Sequence, residues 1–139
     1  MKRLIVDQKD LFFAFENRMP EINHYLNLET GEIIPVFSFH REKILEQMKK
    51  EPDKYLRIKP ISTKNSFQIM KDYIETVPVP KIRKELQEAL AKKGAFRSFR
   101  AVIDKYSKEK EHWVEFKRNS TLKQIKDWLA EFGVELELR

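Results

Sequence analysis

The residues that decide the fold class are 22–39, INHYLNLETGEIIPVFSF. Two runs rich in β-branched and aromatic residues flank Thr30-Gly31, a pattern that predicts a β-hairpin. A two-residue loop at Thr30-Gly31 would place six apolar residues on one face: Ile22, Leu26, Leu28, Ile33, Phe37 and Phe39. A three-residue loop with a bulge at Gly31 would spare Thr30 a positive φ but would shift the pairing by one residue. Both registers are open, and Pro35 favours a sheet edge for the second strand.

Periodicity predicts the other elements on both sides of the hairpin. Alternating residues predict a strand at 54–59, and strict alternation at 134–138 (VELEL) predicts a last strand. Apolar residues at helical spacing predict helices at about 8–18, 40–50, 62–77, 80–93 and 95–106, then one around Trp113 and Phe116 and another over 122–132. The predicted fold class is α+β: a small, mainly antiparallel sheet (hairpin 22–39, strand 54–59, with 134–138 as a candidate member) covered by about six helices.

Length and composition exclude several classes of protein. The 139 residues fit a single domain, 1–139, with a candidate hinge at Pro78-Val79-Pro80. The hydrophobic fraction of 41%, with 10 Phe and no Cys, argues against a disordered chain, a disulfide scaffold and a Cys-based zinc site. No apolar run approaches the roughly 20 residues of a membrane helix, and the N-terminus lacks a secretory apolar stretch. We expect a soluble cytoplasmic domain without a membrane partner.

Five stretches resemble a known bacterial family. They are residues 25–32 (YLNLETGE), 55–58 (YLRI), 70–74 (MKDYI), 94–100 (GAFRSFR) and 128–129 (WL). Together they resemble uncharacterised protein family 0158 over roughly residues 7–130, and 94–100 is the most specific stretch. The resemblance implies an α+β domain and implies no activity.

The sequence departs from the family pattern at two positions. Asn27 stands where the family usually has Asp, and Ala101 stands where it often has an acidic residue. Because Asn27 cannot ionise, any role that needs a charge at this position does not carry over to this chain.

Positive charge is concentrated in one part of the chain. The formal net charge is +6, and residues 81–118 alone contain 12 basic and 6 acidic side chains. Lys92, Lys93, Arg97 and Arg100 surround a predicted helix start at Gly94, with no acidic residue between them. A helix N-terminus and Arg side chains both suit a phosphate or another anion. These four residues are therefore the candidate anion-binding site.

A solvated helix face explains the same charges in another way. On a helical projection Phe96, Phe99, Ile103 and Tyr106 face the core, and the basic residues lie on the opposite side. Asp104 shares that side four residues after Arg100, so an ion pair between them would neutralise part of the patch.

Most aromatic residues lie on apolar stripes and are expected in the core. Phe13 is the exception, because it points away from the stripe that contains Leu11, Phe12 and Phe15. Its side chain either packs against the hairpin or is exposed to a partner. Phe12 and Phe13 are therefore the candidate partner-contact residues.

Catalytic and metal-binding patterns are weak. None of His24, His40 and His112 has a second His four residues later. The pairs His112 with Glu115 and Asp72 with Glu75 each lack a third ligand or a buried setting in the sequence pattern. No nucleophile elbow is present. We therefore assign no catalytic residue, no metal and no cofactor.

Three functional hypotheses follow from these observations. The first is a non-enzymatic binding module for an anionic partner, with nucleic acid as the leading candidate. The second is a protein-interaction or self-association domain that uses Phe12 and Phe13 or the strand edge near Pro35. The third and least favoured is an enzyme, for which Asp72 and Glu75 are the least weak candidates.

Overall fold

The computed structural model describes the backbone of residues 1–139 and every side chain except that of residue 40. The His40 side chain considered above therefore lies outside the described part. The strands are β1 (Lys2–Val6), β2 (Ile22–Asn27), β3 (Ile33–Phe37), β4 (Tyr55–Ile58) and β5 (Val134–Leu138). The helices are α1 (Gln8–Glu16), α2 (Arg41–Lys49), α3 (Thr63–Thr76), α4 (Pro80–Leu90), α5 (Ala95–Lys105) and α6 (Ser107–Ala130), with a 3₁₀ turn at Ser38–His40.

The strands form two separate small sheets. In the first sheet β2 lies in the centre and pairs antiparallel with β3 and with β4. In the second sheet β1 pairs in parallel with β5, from Lys2 opposite Val134 to Val6 opposite Leu138. The α+β fold with a small, mainly antiparallel sheet is confirmed. The strand at 134–138 is also present, but it belongs to the second sheet, and its partner β1 is not predicted from the sequence.

The hairpin loop differs from both predicted loops. Leu26 pairs with Ile33, and the N–H of Asn27 donates to the carbonyl of Glu32 at 2.9 Å, so residues 28–31 form a four-residue loop. The two-residue and three-residue loops are therefore wrong. A change from two loop residues to four keeps the alternation of side chains. Ile22, Leu26, Ile33 and Phe37 consequently share a face, as the two-residue loop predicts.

Three helices begin at residues that are typical of helix N-termini. Asp7 accepts a hydrogen bond from the N–H of Asp10 at 3.0 Å, and Ser62 accepts one from Asn65 at 3.1 Å. Pro80 occupies the first turn of α4, where the missing N–H costs no hydrogen bond.

The C-terminal region has one long helix where the sequence predicts two. The two helices predicted around Trp113 and over 122–132 are one continuous helix, α6, of 24 residues. Thr121, which is 1% exposed, occupies an inward-facing position between the two apolar stripes. Polar residues at the join interrupt the apolar pattern, but no Gly or Pro interrupts the backbone between 107 and 130.

The contacts divide the chain into two compact units. The first comprises residues 1–61 and 126–139 and contains both sheets. The second comprises residues 62–125. Its core is an apolar cluster of residues from α3, α4 and α5 and from the Val77 cap: Met70, Tyr73, Ile74, Val77, Leu86, Phe99 and Ile103. The single domain with a hinge at 78–80 stays a prediction, and those three residues lie inside the second unit.

Among the helices in the described part of the chain, none combines the length and the apolar character that a bilayer span requires.

Candidate anion-binding site at the Gly94 corner

The four candidate cations lie where α4 ends and α5 begins. Lys92, Lys93, Arg97 and Arg100 are all exposed. Gly94 joins the helices with φ 75° and ψ 40°, a left-handed conformation that glycine adopts readily. We call these five residues the Gly94 corner.

The first turn of α5 lacks a side-chain cap. Gly94 has no side chain to accept from the first N–H groups, and the turn contains no acidic residue. The carbonyl of Gly94 accepts from the N–H of Ser98 at 3.0 Å, so the helix is regular from its start. Unpaired N–H groups and the positive end of the helix dipole therefore coincide with the four cations.

Asp104 and Glu85, two acidic residues on α5 and α4, have partners outside this corner. Asp104 forms an ion pair with Lys110 at 3.7 Å, so the predicted pair with Arg100 is wrong. Glu85 pairs with Lys105 at 3.4 Å. The hydroxyl of Tyr106 donates to Glu85 at 2.9 Å, and this hydrogen bond is the main reason that the pKa of Glu85 is lowered. Among the described side chains, no carboxylate forms an ion pair with any of the four cations.

An aromatic pair lies at the same end of α5. Phe96, predicted to face the core, is 43% exposed, because it is in the first turn, where the apolar stripe reaches the surface. Its ring contacts that of Phe67 in α3 edge-on, with centroids 6.3 Å apart. The ammonium of Lys71 lies 4.9 Å from the centroid of Phe67, within the range of a cation–π contact.

The apolar stripes in the sequence predict core positions for Phe67 and Phe96 and do not mark them as site residues. The spacing of Phe67 and Lys71, four residues apart on one helix, is visible in the sequence and permits their contact. The contact between Phe67 and Phe96 depends on the packing of α3 against α5, which local spacing does not show.

The candidate partner-contact residues lie elsewhere, in α1. Phe12 is half-buried, and Phe13 is 57% exposed. The Phe13 ring contacts His24 of β2 edge-on at 5.6 Å, so this side chain packs on the hairpin and also remains open to solvent. Their role in binding a partner stays a prediction.

The weak catalytic and metal candidates are not brought together. Asp72 accepts from the amide of Gln68 at 2.9 Å, and Glu75 pairs with Arg83 at 3.3 Å. Both carboxylates are exposed and have separate partners. Within the described residues, no group of three or more His, Cys, Asp or Glu side chains is arranged to hold a metal ion.

Comparison with known proteins assigns the family. The model of the Uncharacterised protein family (UPF0158) matches residues 1–138. The chain belongs to UPF0158. It is similar to a UPF0158 protein of Pseudomonas aeruginosa, with 26% identity over 136 residues that cover 97% of this chain and 88% of the relative. No solved structure matches the chain. The resemblance to this family over roughly residues 7–130 is thereby confirmed, and UPF0158 has no established function.

Asn27 is the position where the resemblance leads us to expect Asp. The Asn27 side-chain oxygen accepts from the N–H of Glu29 at 2.9 Å and of Thr30 at 3.2 Å, and the residue is buried. An Asp carboxylate offers the same acceptor in the same place. In this chain residue 27 therefore organises the hairpin loop and needs no charge to do so.

Proposed function

We propose that this UPF0158 protein is a non-enzymatic binding module for an anionic partner, nucleic acid, which contacts the Gly94 corner. The observation that carries the proposal is the set of four exposed cations without an acidic partner among the described side chains, beside an uncapped helix start. Four such charges release counterions when they neutralise phosphates, and this release favours binding.

The aromatic pair beside the corner favours single strands. The partly exposed ring of Phe96 offers a surface on which an unpaired base stacks, and such contacts contribute about 1–3 kcal/mol per base. A duplex keeps its bases stacked on one another and gains nothing from Phe96. Cations that track a backbone, next to an aromatic ring that meets a base, are typical of single-strand binding surfaces.

The first experiment measures the contribution of the corner. Fluorescence anisotropy with a labelled oligothymidylate is compared for the wild type and the Arg97→Glu/Arg100→Glu variant. We expect the variant to bind at least about tenfold more weakly, since each phosphate contact adds to the electrostatic term. Wild-type affinity should fall with salt with a log–log slope of about −3, the value for four contacts to a single strand.

A matched control separates the corner from net charge. Lys43→Glu/Lys49→Glu changes two exposed cations on α2 and lowers the net charge by the same amount. We expect this variant to retain affinity within about threefold of the wild type, as long-range charge is screened by salt. Equal loss in both variants, or no binding by the wild type at low salt, would show that the corner is not the site.

The second experiment distinguishes nucleic acid from other polyanions. Phe96→Ala removes the ring and keeps all four cations, so binding of oligothymidylate should fall about tenfold while binding of heparin stays unchanged. Equal binding of both ligands by Phe96→Ala and by the wild type would exclude stacking and reduce the partner to a polyanion in general.

An exposed aromatic cluster favours a second candidate function, self-association. The rings of Phe37 and Phe39 stack with centroids 5.5 Å apart, and they are 36% and 74% exposed. Phe37 lies at the end of the edge strand β3, whose Pro35 pairs with His24 under the Phe13 ring. Together these side chains expose a larger apolar area than single exposed hydrophobic residues do.

Sedimentation velocity over a range of protein concentrations tests this second candidate. Phe13→Glu and Phe37→Glu should each abolish a concentration-dependent increase in mass without loss of helical circular dichroism. Val114→Glu serves as the control, since Val114 is 59% exposed on α6 and belongs to the second unit. A mass that stays monomeric at all concentrations in the wild type would reject self-association.

A further inference from the structure

A pocket of about 250 Å³ lies within the second unit, between the C-terminal end of α3 and the N-terminal half of α6. Its apolar walls include Val77, Pro78 and Phe116. Its polar lining includes Glu109 and Glu115. The pocket is below the usual size for a drug-sized ligand and suits a smaller group.

Glu109 places a buried carboxylate in this pocket. The residue is only 7% exposed, and the hydroxyl of Tyr73 donates to its Oε2 atom at 2.5 Å. A carboxylate has acceptor sites for about four donors, so one hydroxyl leaves most of its capacity unused. Among the described side chains, no cation forms an ion pair with Glu109. Burial of a charge without a counter-charge is costly.

Tyr73 is held in its protonated form beside Glu109. Burial is the main cause that raises the pKa of Tyr73, and the hydrogen bond to Glu109 and the negative charge of Glu109 raise it further. The phenol therefore stays a donor to the carboxylate. Glu109 lies in the first turn of α6, near the positive end of the helix dipole.

The other residues that line the pocket add negative charge and no Lys or Arg. Glu115 adds a second carboxylate, and the last turn of α3 contains no basic residue. The C-terminal end of a helix carries partial negative charge. Among the described residues that line the pocket, none is Lys or Arg.

Aromatic rings complete the environment for a cation. Tyr73 and Phe116 contact each other edge-on with centroids 5.4 Å apart, and both line the pocket. A ring face attracts an ammonium or guanidinium group, and this attraction increases where water is excluded. The apolar walls would contact the carbon chain that carries such a group.

We propose that this pocket binds an organic cation, an ammonium or guanidinium head group on a short aliphatic chain, with Glu109 as its counter-ion. The head group replaces the missing counter-charge, and the chain lies against Val77 and Phe116. This site has the opposite charge preference from the Gly94 corner and does not depend on the function proposed above.

The test uses the full chain and four probes: n-butylammonium, n-butylguanidinium, uncharged n-butanol, and a short peptide with one Lys and blocked ends. Binding is followed by chemical-shift changes of the Asn119 side-chain amide, which lines the pocket, and by the rise in unfolding temperature. We expect both cations to bind at least about tenfold more tightly than n-butanol, as expected for a charge-assisted hydrogen bond.

Two variants isolate the counter-ion. Glu109→Gln keeps an acceptor for Tyr73 but removes the charge, and it should lose at least about tenfold in affinity for n-butylammonium. Glu111→Gln changes an exposed carboxylate two residues away and should bind like the wild type. Phe116→Leu should weaken the binding of the two cations more than the binding of n-butanol, because it removes the aromatic ring but keeps an apolar side chain.

The outcomes separate the possible sources of the cation. Tighter binding of the peptide than of n-butylammonium assigns the pocket to a Lys side chain of a partner, and the reverse order assigns it to a free amine. Equal binding of n-butanol and n-butylammonium, equal loss in the Glu109 and Glu111 variants, or no binding of either cation at millimolar concentration would overturn the proposal.

Discussion

Gly31 and Gly94 have nearly the same backbone conformation in opposite surroundings. Their φ angles are 81° and 75°, both in the left-handed region. A Cβ atom added to Gly31 would lie 2.0 Å from the carbonyl oxygen of Ile5, whereas one added to Gly94 would meet no atom within 4 Å. The first glycine is required by close packing as well as by its conformation, and the second by its conformation alone.

The two corners also differ in how their N–H groups are satisfied. At the hairpin loop the side chain of Asn27 accepts from two N–H groups, and its carbonyl accepts from Gly31 at 2.8 Å. At the Gly94 corner the first turn of α5 has no side-chain acceptor. The N–H groups of the hairpin loop are used within the fold, whereas the first turn of α5 leaves N–H donors and space for a ligand.

Gly31→Ala should produce the largest effect. The left-handed conformation costs a non-glycine residue about 1–2 kcal/mol, and overpacking against the Ile5 backbone adds about 1–3 kcal/mol. We expect a loss of about 3 kcal/mol in the free energy of unfolding, measured by urea denaturation. If Gly31→Ala lost less free energy of unfolding than Gly94→Ala, the two glycines would not differ in packing as described.

Asn27→Ala should rank second. It removes the acceptor for the N–H groups of Glu29 and Thr30, and the expected loss is about 1–2 kcal/mol. Asn27→Asp is the matched variant, because it keeps the side-chain oxygen. If Asn27→Asp were as unstable as Asn27→Ala in the same denaturation experiment, the amide nitrogen and not the oxygen would matter.

Gly94→Ala should cost about 1 kcal/mol, from conformation without a clash. Its affinity for oligothymidylate should equal that of the wild type, since all four cations remain. Gly94→Asn should recover part of the stability, as Asn tolerates the left-handed region better than Ala does. Thermal unfolding and anisotropy together check both expectations.

The smallest expected effect is the pH dependence of stability that is caused by His24 in the hairpin. Burial lowers the pKa of His24 below its usual 6.5, so the folded protein binds this proton less readily than the unfolded chain does. Stability should therefore fall as the pH is lowered through 6.5 towards the folded-state pKa. Urea unfolding at pH 7.5 and 5.5 measures the change, and His24→Gln should show a flatter dependence. Identical pH profiles would remove His24 as the cause.

Local patterns predicted most of the elements but not all of their partners. The strands of the hairpin, β4 and β5 have alternating or β-branched residues, and five of the six helices have a clear apolar stripe, so their existence follows from the sequence. The hairpin loop was mispredicted because Asn27 supplies a side-chain acceptor that stabilises a longer turn. The sequence predicts two helices in place of α6, because the inward-facing residue between the two apolar stripes, Thr121, is polar and yet buried.

The Gly94 corner shows the same limit for a site. Its four cations and its helix start are visible in the sequence. Whether their charge is neutralised depends on Asp104 and Glu85, and these pair with Lys110 and Lys105. Several cations lie within reach of each carboxylate along a helix, and only the three-dimensional arrangement selects one.

The sequence by itself determined the α+β class, the hairpin, the helix caps and the concentration of positive charge, because these depend on residues within a few positions of one another. Tertiary structure decided the pairing of β1 with β5, the close approach of Gly31 to Ile5, and the burial of Glu109 beside Tyr73. Each of these joins residues far apart in the chain. No local period encodes such contacts, since they form only when whole elements pack together.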